Sequence, residues 1–331
     1  MDALQRAIGV TRVARVTGLD RSGVEVACAV RPLGHVLQVC NGKGESWEQA
    51  RASALSEAAE LWAAERPREL VYGAARELAN AWEPADLVAP RLWSREVRVA
   101  WRKAKELGTG REVLVPAQAV HCPPQGPPSL GPAAIRWSTN GMGAHPVRRL
   151  ALRHALLEAV ERDQLARVLP GGWTPRAIAQ RKLDASSLPL WQRLRDARLE
   201  AHVFDLSGAL PVAGAILVDL EEGPVLVTAG YACALRPLDA VRGALLEAAQ
   251  SRLTDVHGAR EDVAPAPAGE MRALRAACER ARPRRSIRRM PAGQDPRVAL
   301  GAKRVAVVDL AREPIHVVKV FSPNLRLSGL L

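Results

Sequence analysis

Four glutamates, Glu57, Glu60, Glu158 and Glu161, stand in pairs three residues apart, and a fifth, Glu247, is followed three residues on by Gln250. Each pair occurs in the same short phrase: Ala54-Leu55-Ser56-Glu57-Ala58-Ala59-Glu60, Ala155-Leu156-Leu157-Glu158-Ala159-Val160-Glu161 and Ala244-Leu245-Leu246-Glu247-Ala248-Ala249-Gln250. Residues three apart share a helix face, so each phrase, read as helix, presents a paired acidic or amide group beside an Ala/Leu packing stripe. One such pair is ordinary solvated helix surface. Its recurrence three times along one chain is what points to a site. Carboxylates gathered in one place repel and shift one another's protonation unless cations neutralise them. Magnesium suits them, because it takes oxygen ligands and is commonly held by a few carboxylates together with substrate phosphates. Glu57, Glu60, Glu158 and Glu161 are the expected metal ligands.

The elements around these phrases repeat as well. Strands at His35–Cys40, Ile135–Ser138 and Val225–Thr228 are each expected to run into a glycine segment. These are Asn41-Gly42-Lys43-Gly44, Thr139-Asn140-Gly141-Met142-Gly143 and Ala229-Gly230-Tyr231-Ala232, and a long helix follows each. Read as loops, Gly42 and Gly44 would let backbone N–H groups approach a phosphate, Lys43 would add a point charge and the helix N-terminus its dipole. A glycine pair at a strand end is also a plain turn. The first helix opens on a capping box, Ser46 with Gln49, and Pro67 forbids it beyond Glu65. The second carries Pro146 at its first position and reaches Val168, and the third starts at Pro237.

Further strands are expected at Thr11–Thr17, Val24–Val30, Val97–Trp101, Glu112–Pro116, Ala201–Leu206, Val212–Asp219, Arg304–Asp309 and His316–Phe321, with a shorter helix at Leu190–Glu200 and a proline loop at 123–128. The fold class is therefore mixed α/β: β-sheets packed against long helices, with three repeated strand, Gly loop, helix units, in a single domain spanning 1–331.

The 331 residues are 48% hydrophobic, enough for a large core, and every apolar run is broken by a charge well short of a membrane span. The start, Met-Asp-Ala-Leu-Gln-Arg, lacks the apolar region of a secretory signal. Cys28, Cys40, Cys122, Cys233 and Cys278 are odd in number and never spaced as C-x-x-C, which argues for a reducing cytoplasm and against a structural zinc site. The net charge of +12 is mostly arginine, densest at Arg280, Arg282, Arg284, Arg285, Arg288 and Arg289. Without interleaved aromatics this segment suits an acidic peptide or partner better than a nucleic acid.

The chain resembles the YcaO family of ATP-dependent enzymes that activate backbone amides. The resemblance is carried by Val10-Thr11-Arg12-Val13 with Thr17-Gly18-Leu19-Asp20, by Asn41-Gly42-Lys43-Gly44, by Ser53 with Glu57 and Glu60, by Ser138-Thr139-Asn140-Gly141, by His154 through Asp163, by Glu247 through Arg252, and by Gly258-Ala259-Arg260-Glu261-Asp262. It implies one catalytic domain, often in a homodimer, with ATP and Mg2+ as cofactors. It further implies transfer of the γ-phosphate to a peptide amide oxygen, which makes that carbon electrophilic. In this reading Lys43, Arg162 and Arg252 face the phosphates, and Ser53, Asn140, Glu247 and Gln250 shape the nucleotide pocket. No residue is assigned as the catalytic acid or base, and His154, one turn before Glu158, is given no role.

Three features depart from the family pattern. Leu61 stands where an Arg often follows the second Glu, Gly230-Tyr231-Ala232-Cys233-Ala234 replaces Gly-Tyr-Gly-x-His, and the end, Phe321 to Leu331, lacks the Pro-rich tail of azoline-forming members. The last tilts the expectation toward the thioamide-forming branch, with a TfuA-type or other delivery partner. Azoline-forming cyclodehydration and a non-catalytic adaptor that binds a peptide or partner stay open beside it.

Overall fold

The computed structural model describes residues 3–84, 87, 89–121, 129–135, 137–172, 176–179, 188–258, 267–283, 285–300 and 304–326. Cys122, the proline loop at 123–128, Arg284, most of the Gly258–Asp262 motif and the last five residues lie outside them.

The chain is mixed α/β, as expected. Its strands form three antiparallel sheets. The first, in the order β1 (Arg12–Arg15), β2 (Glu25–Val30), β3 (Val39–Gly44), follows a short helix α1 (Ala3–Ala7). The second has the order β4 (Leu70–Ala74), β5 (Arg98–Glu106), β11 (Ala306–Ala311), β12 (His316–Phe321), β7 (Met142–His145), with β6 (Glu112–Pro116) also paired to β5. The third runs β10 (Val227–Cys233), β9 (Val212–Asp219), β8 (Leu199–Asp205). The two terminal strands rejoin the largest sheet, as their apolar pattern predicts. The long helices are α2 (Trp47–Ala64), α3 (Arg148–Val168) and α5 (Pro237–His257), and α4 (Leu188–Asp196), α6 (Ala268–Arg280) and α7 (Pro296–Ala299) are shorter.

The helices form for the reasons their sequences give. Ser46 Oγ accepts from the Gln49 N–H and the Gln49 side chain reaches back to the Glu45 N–H, a capping box displaced by one residue at its return arm. Pro237 occupies the first turn of α5 and Gly258 ends it in a left-handed conformation. The α3 helix starts at Arg148, two residues after Pro146.

One expectation is corrected three times over. The first and third glycine segments are not loops, and the second is one only as far as Gly141: β3, β7 and β10 run through Gly42, Gly143 and Gly230, so the strands lie later than expected. Of the stretch 135–138, read as a strand, Ile135 forms an isolated bridge, the described residues 137 and 138 lie in no strand, and Arg136 is outside the described residues. The physical reason is close packing. A Cβ at Gly42 would stand 2.0 Å from Ala54 N and 2.3 Å from Ala50 O. One at Gly143 would meet Ala151 O at 2.3 Å and Ala155 N at 2.8 Å, and one at Gly230 Ala248 N at 2.2 Å and Ala244 O at 2.5 Å. Each helix therefore lays its alanine stripe directly on the glycine of its own strand, and both partners must lack bulk.

Each of these strands ends its sheet's hydrogen-bonded path, and each long helix also touches the strand of the next unit: α2 touches β7, α3 touches β10 and α5 touches β3. The three units thus close on one another in a ring.

Candidate functional site

The ring places the repeated glutamates at its junctions. At the first, the Ala144 N–H on β7 donates to Glu60 of α2. At the second, the Cys233 N–H on β10 donates to Glu161 of α3 over 2.8 Å. At the third, Lys43 Nζ on β3 lies 2.6 Å from Glu247 Oε2 of α5, while the Tyr231 N–H donates to the other oxygen over 3.3 Å. A terminal strand of a sheet has backbone N–H groups to spare; the neighbouring unit's carboxylates take those of Ala144 and Cys233, and Glu247 takes that of Tyr231 in its own unit.

Arg162 stands between the second and third junctions, its guanidinium 3.6 Å from Glu161 and 3.9 Å from Glu158. Burial works against its charge, but Glu161, Glu158 and Glu247 more than offset it. Its Nε is buried and has no hydrogen-bond partner.

The carboxylates are unevenly neutralised. Burial, then Glu158 and Glu57, hold Glu60 well above the ordinary carboxylate range. Burial raises Glu161 to about 7, with Glu247 and Glu158 adding to the rise and Arg162 opposing it. Glu247 goes the other way: burial would raise it, yet Lys43 and Arg162 together hold it below the ordinary range. Two of the carboxylates are thus buried where ionising them needs more positive charge than Lys43 and Arg162 supply, next to an arginine N–H that lacks an acceptor. A cation and an anionic ligand together suit that arrangement. Among the described residues no three His, Cys, Asp or Glu side chains converge as a ready metal cage. A magnesium ion here would accordingly take further oxygens from its phosphate partner, the usual habit of that ion.

Glu57, Glu60, Glu158, Glu161, Glu247, Lys43 and Arg162 are linked by these contacts and charges. Ser53 and Gln250 are half-buried on α2 and α5, one turn from Glu57 and Glu247. Asn140 is buried just before β7, and its neighbour Gly141 packs on Ala159, between Glu158 and Glu161.

Arg252 is placed differently from the expectation. Its buried guanidinium is 2.9 Å from Asp20, 2.9 Å from Asp219 and donates to the Val225 carbonyl over 2.6 Å. The Thr17-Gly18-Leu19-Asp20 motif is thus tied to α5 through this pair. Leu61 is buried in the core beside Ala58 and Ala64, so the chain uses that position for packing. His154 is exposed.

Sequence reasoning missed Lys319. It lies on β12, 1% exposed, with Nζ donating to the carbonyls of Ser138 (2.6 Å) and Asn140 (2.7 Å), and its charge acts on Glu60. The signal was present: a lone lysine inside the apolar run His316-Val317-Val318-Lys319-Val320-Phe321, where an unpaired charge would not be buried.

Fold and site together define a protein whose three strand-helix units converge carboxylates and cations on one place. The chain belongs to the YcaO family, described as YcaO cyclodehydratase, ATP- and Mg2+-binding, which it matches over residues 41–326. A relative from Methanothermobacter thermautotrophicus is 35% identical over 77% of this chain and 68% of its own. Another, from Rhizobium leguminosarum bv. trifolii and named for its place in the tfuA 3' region, is 29% identical over 97% of this chain and 84% of its own. The solved structure of YcaO from Methanopyrus kandleri, bound with AMPPCP and Mg2+, superposes with a TM-score of 0.77 at 26% identity, covering 98% of this chain and 88% of that one. ATP and Mg2+ are the cofactors of the family to which this chain belongs.

Proposed function

We propose that this protein, acting as one catalytic domain in a cytoplasmic homodimer, binds Mg2+ and ATP at the ring of junctions and activates a backbone amide of a ribosomally made peptide or protein. The observation that carries the reading is the buried, unpartnered Nε of Arg162 set among Glu158, Glu161 and Glu247. A buried guanidinium N–H without an acceptor is costly, and a phosphate oxygen is the acceptor that its planar fork fits.

When bound, ATP supplies the phosphoryl group that turns an amide oxygen into a leaving group, and magnesium neutralises the charge that moves with it. The chain's own residues hold the parts. Glu57, Glu60, Glu158 and Glu161 offer the metal oxygens, while Lys43 and Arg162 offer positive charge to the phosphates. Ser53, Asn140, Glu247 and Gln250 bound the nucleotide. Arg252 is held by Asp20 and Asp219 and acts on the site through the position of α5.

Thioamidation is the modification we favour, with a TfuA-type partner delivering peptide or sulfur. The tfuA-region name of the Rhizobium relative supports it. The family description names cyclodehydration, which uses the same activated oxygen with a Cys, Ser or Thr side chain as nucleophile. Mass spectrometry of a candidate precursor peptide incubated with the protein, ATP, sulfide and partner separates the two. Exchange of oxygen for sulfur adds about 16 Da and cyclodehydration removes about 18 Da. Loss of water would overturn thioamidation and leave amide activation standing. No mass change, together with no nucleotide binding, would favour the adaptor reading.

A further inference from the structure

We infer that Lys319 is the positioning residue of the first junction: by gripping the carbonyls of Ser138 and Asn140 it fixes the Asn140 segment against the Glu60 side of the site. The inference rests on the nucleotide reading above. The second and third junctions have cations that the sequence motifs announce, Arg162 and Lys43. At the first, the Ala144 N–H and Lys319 are the groups that favour the charged form of Glu60. Lys319 reaches it from β12, the strand paired with β7, where Lys319 stands opposite Met142.

A buried ammonium has three N–H donors to satisfy. Two go to carbonyls that no regular element holds, since residues 137–139 belong to neither helix nor strand. The segment they fix enters β7 at Met142, and a Cβ added at its Gly141 would stand 3.6 Å from the Ala159 Cβ on α3. Lys319 therefore joins the strand behind the site, the Asn140 turn and a helix that carries two of the glutamates. The next strand residue inward, Val320, donates its N–H to the Gly141 carbonyl over 2.8 Å, which extends the grip by one residue.

The role differs from charge supply in a measurable way. Removing a cation beside Glu60 leaves the carboxylates no less attractive to Mg2+, whereas releasing the Asn140 turn spoils the nucleotide pocket. Calorimetry of the full chain with the methylene-bridged ATP analogue AMPPCP, at several Mg2+ concentrations, reads both quantities. Lys319→Met is expected to weaken analogue affinity about tenfold or more at saturating Mg2+, since two hydrogen bonds from a charged donor are lost. The Mg2+ concentration at half effect should not rise, and Lys319→Arg should recover most of the loss. Wild-type affinity in Lys319→Met would overturn the assignment, and so would a loss matched by a parallel rise in the Mg2+ requirement. Should Lys319→Met fail to fold, hydrogen exchange of the wild-type chain decides. Mg2+ and AMPPCP should slow the amides of 140–143, and unchanged exchange there would overturn the role. If the wild-type chain binds no AMPPCP with Mg2+, the nucleotide reading itself falls and this inference with it.

Discussion

Replacing Gly230 by alanine puts the close strand-helix packing to a direct test. The new Cβ would lie 2.2 Å from Ala248 N, 2.5 Å from Ala244 O and 2.7 Å from the Glu247 carbonyl carbon, where ordinary contact begins at 3.4 Å. All three atoms are backbone, so no rotamer change relieves the overlap, and β10 and α5 must part by about 1.2 Å, the difference between 3.4 and 2.2 Å. Overpacking of a core costs roughly 1–3 kcal/mol when side chains can adjust, and the rigidity here puts the expected loss at about 3 kcal/mol or more. At roughly 2–4 °C per kcal/mol for a chain of this size class, the melting temperature should fall by about 6–12 °C. Thermal and urea unfolding measure it. Gly269→Ala is the control: it lies in α6 with nothing within 4 Å of its Cβ, and should stabilise by about 0.5–1 kcal/mol through helix propensity. Gly42→Ala and Gly143→Ala should behave like Gly230→Ala. If instead Gly42 served phosphate approach, its substitution would weaken nucleotide binding with stability intact. Unfolding of Gly230→Ala within about 0.5 kcal/mol of wild type, the noise of ordinary surface changes, would refute the packing account.

Glu158→Gln keeps shape and removes charge, so it should reduce Mg2+-dependent nucleotide binding about tenfold or more with the fold intact; calorimetry with and without EDTA reads this, and EDTA-insensitive affinity would count against the site. Arg252→Met leaves Asp20 buried without its arginine and Asp219 with Arg21 alone, and should cost roughly 3–5 kcal/mol in urea unfolding, whereas a phosphate-binding role would show first as lost nucleotide affinity. Glu161, raised to about 7 from an ordinary 4.5, binds its proton more tightly in the native state. Its stabilising contribution is therefore fully present below 4.5 and is lost as pH rises through 7, so the protein without nucleotide should lose stability between pH 5 and 8. Glu161→Gln should flatten that part of the profile, and an unchanged slope would refute it. A gel-shift titration with duplex and single-stranded DNA at moderate salt should show no tight, sequence-dependent binding by the arginine-rich segment.

Helices were legible in the sequence because their signals are local. Ser46, Pro67 and Pro237 mark ends within a residue or two, and the Ala/Leu phrases mark the buried stripe. Strands were legible where β-branched residues are dense, as in Val212–Asp219 and Glu112–Pro116, whose limits match the structure. They were misplaced where the strand carries glycine, because glycine reads locally as a turn and its cause here is a helix that arrives later in the chain. The carboxylates were legible through repetition, whereas Lys319 and the Ala144 and Cys233 N–H groups were not. A backbone donor has no sequence signature, and a single lysine gains meaning only when β12 is seen beside β7.

The three phrases stand at the same height in their helices, with Glu57, Glu158 and Glu247 each ten residues past the first residue of α2, α3 and α5. Gly42 faces Ala54, Gly143 faces Ala155, but Gly230 faces Ala248 rather than Ala244. Gly230 lies seven residues before its helix, where Gly42 and Gly143 lie five before theirs, so it meets α5 about one turn further along. Glu247 is nevertheless distinct in its partners, since the Tyr231 N–H of its own unit and Lys43 of the first unit both reach it. That is why Glu247 alone is held below the ordinary carboxylate range while Glu60 and Glu161 are pushed above it. The asymmetry of the ring is therefore one of charge and not of register: two units present glutamates short of positive charge, where a cation gains most, and the third presents a glutamate already matched by Lys43 and Arg162. Among the described residues no group accepts from the buried Arg162 Nε, and a bound anion would supply the acceptor that the carboxylates around it do not.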